Sequence, residues 1–235
     1  MAQSAHIDPF ARENLPPPEQ MPEFRFTLPE LQYPARLNCA VEFVDRHVEQ
    51  GRGDRPCIVS PSETLGYAQF AERVNRIANV LVRDLGMQPG TRVLLRGYNG
   101  ATMSAAFFAV MKAGGIAINT MPLLRGREIA FPLKKAKVAL ALCDIRLADE
   151  MKKAKTLEPG LERIVWWGEG GADSLAIVGV RIHALPNARC VVATVEGKLA
   201  NEQMRDGVQQ READARELGV RLKAASRTPP AVSST

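Results

Sequence analysis

The chain has 235 residues, 46% of them hydrophobic and 24% charged, which supplies apolar material for one large domain or two small ones and excludes a wholly disordered chain. The 18 Gly and 16 Pro follow no period, so collagen-like and other low-complexity classes drop out. The net charge of +5 leans toward residues 176–235, but that stretch has no Phe, Trp or Tyr on which bases could stack, and the excess reads as solubility rather than a nucleic-acid surface.

The four cysteines, Cys39, Cys57, Cys143 and Cys190, are widely spaced, with no C-x-x-C pair. That spacing argues against a metal knuckle, a redox motif or a disulfide framework and fits a reducing, cytoplasmic setting. The N-terminus lacks the apolar core of a secretory signal, and the longest apolar stretch, Ala105–Ile118, is short for a membrane span and carries Lys112. No membrane association is expected.

Residues 1–36 hold seven prolines, including Pro16-Pro17-Pro18, and are read as an extended arm. A helical pattern starts at Leu37, with Ala40, Val41, Phe43, Val44 and Val48 as one apolar stripe, and ends at Gly51-Arg52-Gly53-Asp54. The Arg-Gly-Asp triplet there is read as a turn, not an adhesion ligand. Pro56–Val59 reads as a short strand. Leu65-Gly66-Tyr67 leads into a helix whose apolar positions run from Phe70 to Leu85, with Gly86 placed to cap it.

One unit then repeats. Strands are expected at Arg92–Arg96, Ile116–Ile118, Val138–Cys143 and Arg163–Trp166, and helices at Thr102–Ala113, Arg125–Lys135 and Leu147–Lys155. Apolar strands alternating with helices of this length predict an α/β fold, a parallel sheet covered by helices on both faces. Pro132 falls inside the Arg125–Lys135 helix, where it removes a hydrogen bond and can kink the helix or cost about 3 kcal/mol. The texture changes near Ala176: Ile177–Ile182 and Cys190–Val195 read as short strands, Leu199–Leu218 as a polar helix, and the residues after Ala224 as disordered. The expected organisation is an arm over 1–36, an α/β subdomain over 37–175 and a divergent tail over 176–235.

Residues 66–131 carry a Tyr-led helix at Tyr67, a Pro-Gly turn at Pro89-Gly90, a strand at Val93–Leu95, an apolar helix and then Lys112-Ala113-Gly114. In order and spacing these resemble the opening of the adenylate-forming acyl-CoA synthetases. The flanking pieces LPPPEQMPEF, LPELQYPARLNCAVEFVD and MPLLRGREI look most like the aryl-acid branch, the benzoate-CoA and 2-aminobenzoate-CoA ligases. The match covers residues 5–174 or so, which corresponds to the opening third of a complete synthetase. Gly66 departs from the Thr that commonly precedes the family's Tyr.

The resemblance implies activation of a carboxylate with Mg-ATP to an acyl-adenylate, followed by displacement of AMP by the coenzyme A thiol. A complete enzyme of this kind uses a Ser/Thr/Gly-rich loop ending in Pro-Lys, a Tyr-x-x-Thr-Glu-type motif, a Thr-Gly-Asp and a lysine on a mobile C-terminal domain. None of these motifs stands in this sequence. Gly168-Glu169-Gly170-Gly171 holds an acidic residue and is followed by no Lys-Ser/Thr, so it reads as a loop. Lys134, Lys135, Lys137, Lys152, Lys153 and Lys155 read as a solvated face. His6, His47 and His183 have no nucleophile partner, and Tyr67, Trp166 and Trp167 read as core. No catalytic, cofactor-binding or metal-binding residue is assigned.

The expectation is therefore a truncated or frameshifted aryl-acid CoA ligase without activity of its own, binding no cofactor although the complete enzyme uses ATP, Mg and coenzyme A. The rival is a non-catalytic binding module on the same scaffold, whose tail engages a partner. Apolar surface left uncovered on such a piece predicts self-association.

Overall fold

The structure, a computed structural model, describes residues 5–23, 25–34 and 37–168. The tail over 176–235, with His183 and Cys190, and residues 169–171 of the glycine cluster lie outside the described residues.

Four parallel strands form the main sheet: β3 (Arg92–Arg96), β4 (Ile116–Thr120), β5 (Leu140–Asp144) and β6 (Arg163–Trp167), in the order β4-β3-β5-β6. Each pair runs in straight register, with Leu94 opposite Ile118 on one side and Ala141 on the other. Before the sheet come β1 (Pro56–Val59) and β2 (Thr64–Gly66), an antiparallel hairpin with an irregular register between Pro56 and Ile58. Of Leu65-Gly66-Tyr67, expected as the lead-in to a helix, Leu65 and Gly66 thus belong to the second strand of a hairpin, and Tyr67 opens α3. Three residues leave no room for a visible alternation pattern.

The helices are the short α1 (Phe10–Glu13) and α2 (Arg46–Glu49), then α3 (Tyr67–Asn79), α4 (Ala101–Lys112), α5 (Gly126–Lys135) and α6 (Ala148–Leu157). Alternate strand residues face opposite layers. Val93, Leu95, Leu140, Leu142 and Val165 pack with Phe70, Val74 and Leu81 of the α3 segment and Ala105, Ala109 and Val110 of α4. Leu94, Ala141, Cys143 and Ile164 pack with Ile129 and Leu133 of α5 and Met151 and Ala154 of α6. Both faces of the sheet's two central strands are therefore dry, which is why β3 and β5 are buried along their whole length and read as apolar runs.

Three local findings differ from the sequence pattern. Ala40 and Val44 are buried, but Phe43 and Val48 stand out into solvent, Phe43 at 47% exposure. The segment widens into a π-turn over Val41–Asp45, which turns the following residues off the stripe that a regular helical period projects. A second π-turn, Val80–Asp84, ends the α3 segment before Gly86 turns the chain at φ 66°. Pro132 neither breaks α5 nor ends it: the helix runs to Lys135, and Ala136 N donates to Pro132 O at 3.0 Å. The donor that Pro132 lacks would have met Glu128 O in the first turn, where the Glu128 side chain caps Arg125 N at 2.7 Å.

The arm is not simply extended. It carries α1 and one-turn helices at Pro18–Gln20 and Pro29–Leu31, and residues 13–23, 25–30 and 32–34 are exposed. The Arg-Gly-Asp triplet is a turn: Arg52 N donates to His47 O at 2.8 Å and Ala68 N to Gly53 O at 2.9 Å. Gly66 is held to glycine by that turn, because a Cβ there would lie 2.8 Å from Gly53 O.

The Lys112-Ala113-Gly114 motif joins the N-terminal segment to the sheet layer. Lys112 is 3% exposed, and its Nζ donates to both oxygens of Asp45, at 2.7 and 2.5 Å. Asn38 Nδ2 closes the end of α4 by donating to Met111 O and Lys112 O, both at 3.3 Å. Removing one partner of a buried pair strands the other, at about 3–5 kcal/mol. Urea unfolding should show Asp45→Ala losing stability on that scale, and Lys112→Met combined with Asp45→Ala recovering most of the loss.

Candidate functional site

The order β4-β3-β5-β6 sends the chain to one side after β3 and to the other after β5. In open parallel sheets the crevice beyond the carboxyl ends of the strands, at that reversal, is where ligands bind. A cleft of about 550 Å³ lies there. The β3–α4 connection contributes Tyr98, Asn99 and Gly100, the first turn of α4 contributes Thr102, β5 and its loop contribute Asp144 and Arg146, β6 contributes Trp167, and the hairpin contributes Ser62 and Glu63.

Asp144 closes β5 at 2% exposure. It accepts from Arg146 Nε at 2.9 Å, Arg146 Nη2 at 2.6 Å and the Arg146 backbone N–H at 3.0 Å. The Arg146 side chain holds the Asp144 carboxyl below the usual carboxylate range; burial works against this, and Trp167 adds a further hydrogen bond. The guanidinium also lies over the Tyr98 ring, 4.7 Å from its centre. Trp167 packs so close on Gly97 that a side chain at 97 would overlap the indole. Glu63 is taken up by Arg73 in a bidentate pair at 2.9 and 2.8 Å, which holds its carboxyl low.

Arg96 sets the neighbouring rim. At 1% exposure it donates to the carbonyls of Met121, Pro122 and Leu124, at 2.8, 2.9 and 2.8 Å, and so fixes the loop that follows β4. The Cys143 thiol lies buried on the same side of the sheet, and burial pushes it up to about 12.

The charges that line the cleft are paired, Arg146 with Asp144 and Glu63 with Arg73. No group of three His, Cys, Asp or Glu placed to hold a metal ion occurs among the described residues.

Of the residues weighed from sequence, Trp167 and Gly168, at and just after the end of β6, line this cleft. Trp166 packs against the α5–α6 layer. His47 stacks on Tyr67 with ring centres 4.1 Å apart and accepts from Arg52 Nε at 3.1 Å, so both rings are framework. His6 belongs to the arm, where burial, and then Arg12, push it below its ordinary value. The six lysines are exposed: Lys153 pairs with Glu150, and Lys155 donates to Glu162 O. Asp144 and Arg146 escaped the sequence reading because an Asp-x-Arg at a strand end is common. Only the strand order shows that this end faces the cleft.

A doubly covered parallel sheet with a cleft at its reversal defines an open α/β protein. The model of the family described as "AMP-binding enzyme" matches residues 44–177, more than half of the chain, and the chain belongs to that family. Benzoate–CoA ligase of Thauera aromatica is 29% identical over 150 residues, 64% of this chain and 28% of that protein. The crystal structure of the anthranilate CoA ligase AuaEII in complex with anthranoyl-AMP matches with 25% identity and a TM-score of 0.57, over 63% of this chain and 29% of that one. A benzoate CoA ligase from Burkholderia xenovorans shares the fold at 16% identity and a TM-score of 0.54, over 69% of this chain and 30% of that one. The chain thus spans less than a third of the length of these relatives. No helix among the described residues is long and apolar enough to cross a membrane.

Two outcomes follow from the cleft. The native Asp144 carboxyl titrates below its unfolded value, so its contribution to stability is complete above about pH 4 and fades as the pH falls through the native value. Denaturant midpoints measured from about pH 6 down to pH 2 should show Arg146→Ala losing stability at a higher pH than the parent chain. A thiol at about 12 is almost wholly protonated at pH 8, so iodoacetamide should leave Cys143 unmodified in the native protein and label it after urea unfolding, as read by peptide mass spectrometry.

Proposed function

We propose that this chain is the N-terminal portion of an aryl-acid CoA ligase, and that by itself it does not form acyl-CoA. The reaction of such a ligase is ATP-dependent activation of a carboxylate of the benzoate or 2-aminobenzoate type to an acyl-adenylate, followed by transfer to coenzyme A. The observation that carries the reading is the family match over residues 44–177, joined by the likeness to benzoate and anthranilate ligases. In this portion the family's marks are framework. Tyr67 stacks on His47, Pro89 and Gly90 turn the chain into β3, and Lys112 is neutralised by Asp45.

The inactivity follows from what adenylation requires. Charge builds on the leaving pyrophosphate, and the rate depends on donors, a cation and a metal placed beforehand around it. The sequence has no Ser/Thr/Gly-rich loop ending in Pro-Lys, and the cleft offers no uncommitted cation among its described lining. The described residues act as the wall against which such a site is built. Incubated with Mg-ATP, coenzyme A and either benzoate or 2-aminobenzoate, the purified chain should release no AMP and form no acyl-CoA above a protein-free blank. Product above that blank sinks the reading.

A further inference from the structure

Residues 6–10 are seated on the amino-terminal end of β3 by contacts concentrated in five residues. Ile7 N and Asp8 N both donate to Pro89 O, at 3.0 and 3.1 Å. The Asp8 carboxylate accepts from Phe10 N at 2.9 Å and forms an ion pair with Arg92. The Phe10 ring meets two cations, with Arg92 Cζ 4.7 Å and Lys137 Nζ 5.0 Å from its centre. Gly90 must be bare: its φ is 94°, and a Cβ there would lie 2.5 Å from Asp8 O.

The receiving surface is complete without this segment. The Arg92 guanidinium, 9% exposed, also donates to Ala136 O at 2.9 Å and to Gly90 O and Lys137 O at 3.2 Å each, so it keeps partners if Asp8 leaves. Beyond the segment, residues 13–23, 25–30 and 32–34 are exposed, and the chain rejoins the body at Asn38, on the end of α4. Extended, the stretch from Leu15 to Leu37 reaches about 75 Å, roughly twice the diameter of a domain this size. A hook on so long a tether can also reach a neighbouring molecule once the chains are concentrated.

We propose that Ile7–Phe10 is an exchangeable hook, and that the surface formed by Pro89, Gly90, Arg92 and Lys137 accepts the same segment from a second copy of this chain. The tether gives the hook an effective concentration in the millimolar range on its own body, so dilute chains are closed on themselves and exchange sets in as concentration approaches that range. The chemistry recognised is an Asp-Pro-Phe turn: a carboxylate for Arg92, a ring for two cations, and two amides for one carbonyl. This surface lies at the opposite end of the sheet from the cleft, and the inference stands whether or not the ligase reading does.

The test uses the whole chain carrying Asp8→Ala and Phe10→Ala, whose own hook cannot compete, and a fluorescein-labelled peptide of residues 5–13. Fluorescence anisotropy should show saturable binding at least about tenfold tighter than to the unaltered chain, and none when the peptide carries both substitutions. Lys137→Ala, added to that chain, should weaken peptide binding by about two- to fivefold. Sedimentation equilibrium should find dimers of the unaltered chain near about 1 mM and monomers of the hookless one. Equal peptide binding by both chains, binding that ignores the two substitutions, an unaltered chain monomeric at that concentration, or a dimer that survives loss of the hook each overturns the proposal. A circular-dichroism melt of the hookless chain checks that it remains folded, and Phe10→Ala alone serves in its place if it does not.

Discussion

β3 is the strand on which the rest of the described fold depends. It lies between β4 and β5, is buried at all five residues, and sends Val93 and Leu95 into one helical layer and Leu94 into the other. A strand with no solvent on either face has to satisfy the backbone at both of its ends without water. An arginine stands at each end of the strand and holds the neighbouring loops. Arg92 gathers the carbonyls of Gly90, Ala136 and Lys137, and Arg96 gathers those of Met121, Pro122 and Leu124. A guanidinium offers five donors in a plane, so one side chain can hold a loop that hydrophobic packing would leave loose.

Those two arginines give the ends of the sheet different uses. At the carboxyl end, Arg96 stiffens the β4–α5 loop beside a cleft whose own charges, Asp144 with Arg146 and Glu63 with Arg73, cancel pairwise. At the amino end, Arg92 faces outward far enough to take a carboxylate from the arm. Preorganisation is common to both, since in each case the cation is oriented by backbone carbonyls before any partner arrives.

The residues that carry the family likeness are framework, and this explains what the sequence could and could not convey. Tyr67 stacks on His47, Lys112 is buried against Asp45, and Gly114 O accepts Gly90 N at 2.8 Å. Such positions serve the packing, so they mark the fold without marking the chemistry. The repeated strands and helices from Arg92 to Trp167 were legible because strands buried on both faces leave unbroken apolar runs. The Thr64–Gly66 strand and the two π-turns were not, because a three-residue strand and a one-residue insertion leave no period to read.

Local chemistry in the sequence determined the elements: which runs are dry, where Gly86 and Gly114 turn the chain, and that the lysines of α5 and α6 face water. Tertiary structure alone decided the order of the strands, and with it that Asp144, Tyr98 and Trp167 share one cleft while Asp8, Phe10, Arg92 and Lys137 share another surface. Asp8 and Arg92 stand 84 residues apart in the chain, and Lys112 and Asp45 stand 67 apart. Periodicity reports the environment of a residue along its own element. It holds no record of which distant element supplies that environment, and only the packing of the two helical layers on the sheet brings such partners within reach.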